Sequence, residues 1–122
     1  MFQQNTSTPK GISAQKAYEM MQKDSNVVLL DVRTPAEYMS NTGHLWFHEN
    51  TQKKDALLIP IQELHKRVDE LEPYKEKTII AYCRSGNRSG IAAEILSKQG
   101  FSVYNLDGGM IQWHEEQLPV IK

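Results

Sequence analysis

Cysteine is almost missing from this chain: Cys83 stands alone among 122 residues. One thiol forms no internal disulfide and builds no thiolate-rich metal site. Long apolar runs are missing too, and no stretch approaches the ~20 residues that cross a bilayer. Charge of one sign is not in excess. The formal net charge of −1 argues against a dedicated nucleic-acid or anionic-membrane binder, whose surface normally carries a basic excess. Neither an internal repeat nor a low-complexity tract is present. The start, MFQQNTSTPKGIS, is polar and lacks the apolar stretch of a secretory signal. A reducing, cytoplasmic setting is therefore expected, and the periplasm is compatible if a signal peptide was removed. Residues 1–7 have nothing to bury and are expected to be disordered, leaving 8–122 as one domain.

What is present alternates between apolar runs and helical patterns. NVVLLDV (26–32), ALLI (56–59), KTIIAYC (77–83) and FSVYNL (101–106) read as buried parallel strands covered by helices on both faces. Between them, Ala14, Ala17, Tyr18 and Met21 form one helical stripe behind a Ser13 N-cap. Ile61, Leu64, Val68 and Leu71 form a second, opened by Pro60. Ile91, Ala92, Ile95 and Leu96 form a third, with Gly100 where a C-cap belongs. Such alternation implies an open α/β sheet with right-handed crossovers. Residues 41–55 show no steady period and read as a long loop, either functional or a tolerated insertion.

Cys83 ends a strand, where open α/β sheets bind their ligands. A lone cysteine there is ordinarily a small buried hydrophobe. The following residues, Arg84, Ser85, Gly86, Asn87 and Arg88, reverse that reading. A short loop with a glycine, two arginines and a helix start can turn its amides inward toward an anion. Gly86 and Asn87 both tolerate left-handed backbone. Arginines and a helix start also draw a cysteine pKa down from ~8.5. The stretch therefore reads as a nucleophile inside an anion pocket. Asp31 and Arg33 read as a charged pair that caps a strand end and braces nearby loops, with Glu37 in the same brace.

LLDVRTPAEY (29–38), GHL (43–45), IPI (59–61), YCRSGNRS (82–89) and LDGGMIQW (106–113) resemble, in order and spacing, the rhodanese-like sulfurtransferase domain. The resemblance implies a central parallel sheet of about five strands flanked by helices. It implies that Cys83 takes a sulfane sulfur from a small anionic donor such as thiosulfate, carries it as a persulfide, and passes it to a thiophilic acceptor. That acceptor would be cyanide or a thiol, a protein thiol included. The loop 84–88 would hold the anionic sulfur, Arg84 and Arg88 the donor's oxygens, and Ser89 would support the loop. Neither a cofactor nor a metal is expected, and His48, His65 and His114 lack paired ligand spacing. His44 reads as a turn-organising residue. The alternative is a persulfide carrier serving a dedicated protein partner. A phosphatase or arsenate reductase of the same fold is the lesser alternative, because such phosphatases place one more residue between Cys and Arg than the four found here.

Two features depart from the family pattern. His44 and Pro60 stand sixteen positions apart, much farther than usual, with an insertion at 46–55 between them. Gln117 replaces a customary glycine. Trp46 and Phe47 in the insertion either pack down as a satellite cluster or face a partner, whereas Trp113 is expected in the core. Gly108 and Gly109 are expected to make the tight turn that starts the last helix.

Overall fold

A computed structural model describes residues 9–122; the expectation for 1–7 lies outside the described residues. Five parallel strands make the central sheet, in the order β1 (Lys10–Ile12), β7 (Ser102–Leu106), β6 (Thr78–Tyr82), β2 (Val27–Asp31), β5 (Leu57–Leu58). Every residue of β2 is buried, which is why its sequence shows no alternation. β1 is three residues long and only Ile12 is buried, too short to leave a sequence period.

Helix α1 (Ala14–Lys23) begins where the Ser13 side chain accepts a hydrogen bond from the Lys16 amide, and it buries Ala14, Ala17 and Met21. The expected helix over 61–71 is instead three short pieces: a 3-10 turn Ile61–Glu63, α3 (Leu64–Arg67) and a 3-10 run Val68–Tyr74. Pro73 lies inside the last piece, lacking the N–H that an α-helix needs. Helix α4 (Asn87–Lys98) buries Ser89, Ala92, Ala93 and Leu96. That corrects the expected stripe by one position: Ile91 is 55% exposed, because the inward face starts from Ser89.

Residues 46–55 are not an irregular loop. They form an antiparallel hairpin, β3 (Trp46–Glu49) with β4 (Gln52–Asp55), closed by Asn50 and Thr51 at φ 53° and 67°. Two consecutive left-handed residues are the signature of a tight two-residue turn. Trp46 and Phe47 point to opposite sides of their strand, yet both are buried in the core. Trp46 meets Tyr18 edge-on at 6.4 Å and Phe47 meets Tyr74 at 6.4 Å, so the hairpin is part of the packed body. His44 precedes it, stacked on Tyr38 at 4.2 Å and backbone-paired with Ile121. Trp113 is fully buried. Among the described residues no helix is long and apolar enough to cross a membrane.

Candidate active site

The chain leaves the carboxyl end of β6 at Tyr82 and turns into α4 within four residues. Gly86 makes this possible: its φ is +101°, and a Cβ there would collide with the Asp107 carbonyl. On the other side α5 (Gly109–Glu115) presses against the loop. Its amides at Met110 and Ile111 donate to the carbonyls of Cys83 and Arg84, each at 3.0 Å. Gly109, at φ +59°, lies so close to the Arg84 carbonyl that a side chain has no room.

This curl brings its donors onto one atom. The Sγ of Cys83 receives the Gly86 amide at 3.1 Å, and the Ser89 amide and hydroxyl at 3.4 Å each. Cys83 exposes 1% of its surface, so the loop screens its sulfur from bulk solvent. Burial is the largest influence and pushes the thiol up. The Ser89 hydroxyl and the amides of Ser89, Gly86 and Ser85 together outweigh it and bring the thiol below its usual range. The Ser89 hydroxyl also lies 2.6 Å from the Asn105 side-chain oxygen. One hydroxyl proton serves two acceptors, so it can turn to sulfur when the thiol ionises.

Asn105 escaped the sequence reading. Its side-chain nitrogen donates to the Gly86 carbonyl at 3.2 Å, so it fixes the loop as well as Ser89. A polar residue near the end of the apolar run FSVYNL was the available signal. Asn87 starts α4 with an exposed side chain, and Ser85 contributes its amide.

Asp31 and Arg33 form a buried pair at 2.7 Å, and Arg33 also donates to the Gly43 carbonyl at 2.9 Å. Glu37 does not join that brace. It sits on the short helix α2 (Pro35–Tyr38) and takes the Arg88 guanidinium on both oxygens, at 2.8 and 2.9 Å. Arg84 is exposed and has no carboxylate partner among the described residues. It lines a cavity of about 510 Å³ beside the loop, together with Ala36, Glu37, Thr42, Met110 and His114. The donors can stabilise a thiolate or a persulfide on Cys83; the cavity reaches the loop at Arg84, and Cys83 itself is not part of its lining.

Residues 13–116 match the family model of the Rhodanese-like domain. A sulfurtransferase of Allochromatium vinosum is 32% identical over 111 residues, covering 90% of this chain and 92% of its own. A thiosulfate:glutathione sulfurtransferase of Saccharomyces cerevisiae is 36% identical over 94 residues, covering 74% of this chain and 66% of its own. The crystal structure of a rhodanese-related protein from Thermoplasma volcanium superimposes with a TM-score of 0.73 at 32% identity, over 90% of this chain and 95% of that one.

Proposed function

The chain belongs to the rhodanese-like family, and on that footing we propose that it moves sulfane sulfur from thiosulfate, or a similar anion, to a thiol or to cyanide. The observation that carries this reading is the sulfur of Cys83 held by three donors, one from its loop and two from the first turn of α4, at 3.1 to 3.4 Å. Such donors stabilise an anionic sulfur without a general base.

In the first half-reaction the Cys83 thiolate attacks the outer sulfur of thiosulfate. The sulfur–sulfur bond of the donor breaks, and sulfite departs with the bonding electron pair. Cys83 now carries a persulfide, whose terminal sulfur inherits the negative charge and the support of the loop. In the second half an acceptor thiolate or cyanide attacks that terminal sulfur, and Cys83 returns as thiolate. With no second cysteine in the 122 residues, an acceptor thiol comes from outside them. Arg84, exposed on the cavity wall, supplies positive charge for the donor's oxygens.

The test is a thiosulfate:cyanide assay run beside mass spectrometry of the intact chain. Wild type should gain one sulfur atom from thiosulfate and form thiocyanate, and Cys83→Ser should do neither. A wild-type chain that never gains the sulfur ends the proposal. The second reading is a carrier that discharges only to a protein partner. Release of loaded sulfur to a protein thiol, but not to cyanide or small thiols, would establish it. Turnover of a phosphate ester, without sulfur loading, would point to the phosphatase alternative instead.

A further inference from the structure

Glu37 and Arg88 are 51 positions apart in the chain and meet fork to fork. Glu37 is oriented before it meets the arginine. Its Oε1 accepts from the Thr34 amide at 3.0 Å and from the Thr34 hydroxyl at 3.2 Å, while its own amide donates to Thr34 Oγ1 at 3.2 Å. This reciprocal capping box fixes the carboxylate on the first turn of α2. Arg88 is the second residue of α4, and the next residue is Ser89, whose amide and hydroxyl hold the sulfur. Holding Arg88 therefore holds the turn that carries two of the sulfur's three donors. A guanidinium engaged on both terminal nitrogens by one carboxylate also has its charge matched and its best donors spent.

We propose that Glu37 is a positioning residue of the sulfur site, which makes Arg88 a strut of the loop and not a ligand for the donor's oxygens. The proposal rests on the sulfur-transfer reading for its kinetic consequences. Its geometric consequence, a rigid cover over Cys83, is independent of that reading. A ligand role and a strut role for Arg88 predict different behaviour. A ligand discriminates between charged and uncharged donors, acts whether or not Glu37 is present, and is replaced in part by lysine. A strut affects all donors alike, acts as one unit with Glu37, and needs the planar fork that lysine lacks.

The experiment is a double-mutant cycle with Glu37→Gln, Arg88→Gln and the pair combined, beside Arg88→Lys. Turnover is measured with thiosulfate and with an uncharged organic trisulfide. Each single variant should lose about tenfold in kcat with both donors while KM moves little, and the double should lose no more than the worse single. Arg88→Lys should stay close to Arg88→Gln. The rate of Cys83 alkylation by iodoacetamide, taken at a pH where the thiol is fully ionised, reads the loop without any sulfur chemistry. It should rise in both single variants and rise no further in the double. Additive losses, a defect confined to KM for thiosulfate, full rescue by lysine, or alkylation unchanged from wild type would each overturn the role of Glu37. A wild type that loads no sulfur from either donor, yet shows coupled alkylation, would sink sulfur transfer and leave the strut standing.

Discussion

The amides of Gly86 and Ser89 and the Ser89 hydroxyl converge on the sulfur of Cys83. Ser89 contributes twice to the Cys83 environment, through its amide and its hydroxyl, each at 3.4 Å. Ser89→Ala removes the hydroxyl and keeps the amide. The thiol pKa should rise, and the acid limb of the activity–pH profile should move up with it. Iodoacetamide alkylation followed against pH checks this directly; an unmoved midpoint would remove the hydroxyl from the account. Glu37 gives a second pH signature. Its side-chain hydrogen bond with Arg88 is the main cause that holds its carboxyl at about 2. A depressed carboxylate stabilises the fold fully above the usual glutamate pKa, and that stability is lost as pH falls through about 2. The side chains are about one-third exposed, so solvent screening reduces the gain to on the order of 1 kcal/mol. Glu37→Gln should be less stable than wild type by that amount at neutral pH in urea titrations. The gap should narrow as the solution approaches the carboxyl's own titration.

Elements differ in how openly the sequence announced them. Buried parallel strands such as β2 declare themselves as unbroken apolar runs, and α1 by its Ser13 cap and its stripe. Helix α4 was legible in extent but not in rotation, because its inward face begins with a polar residue, Ser89, that serves the sulfur. The hairpin was the least legible. Its two aromatic residues are consecutive and both buried, so the alternation that marks a strand is absent, and its turn residues are Asn50 and Thr51 without a glycine. Phe47 decides whether this element is body or ornament. Phe47→Ala should cost about 3–5 kcal/mol in denaturant unfolding, as for a core residue. Lys53, whose ammonium sits 4.5 Å from the Trp46 ring in an exposed setting, should cost about 1 kcal/mol or less when replaced by alanine. Equal, small effects at both positions would make the hairpin a loosely attached insertion.

At the scale of the whole molecule, the carboxyl ends of the sheet's interior strands gather the residues of the candidate site. β2 and β6 are neighbours, so the Asp31–Arg33 pair and the Cys83 loop emerge side by side, and the short α2 faces the start of α4. Sequence order and motif spacing made this architecture readable. They did not reveal that Glu37 would turn to Arg88 and away from Arg33, since a partner so distant in the chain is chosen by strand order. Nor did they reveal Asn105, which reaches the loop only because β7 lies next to β6. The buried pair is the costliest point to disturb. Asp31→Asn would leave the Arg33 guanidinium buried without its counter-charge, and should destabilise by about 3–5 kcal/mol in urea or thermal unfolding. Arg33 also lies over the Tyr82 ring, 5.6 Å from its centroid, and a loss well under that figure would mean that this ring and the Gly43 carbonyl suffice to hold it.

The placement of Tyr18 has an optical consequence. Its ring stands edge-on to Trp46 at 6.4 Å and to Trp113 at 6.0 Å, and these are the two indoles of the chain. Light absorbed by this tyrosine passes readily to either indole, and both emit from the same dry surroundings. Wild type should therefore show one blue-shifted emission band that collapses in a single step on unfolding. A hairpin that lifted away while α5 stayed in place would split that band, exposing the Trp46 indole to quenchers and leaving Trp113 dark to them.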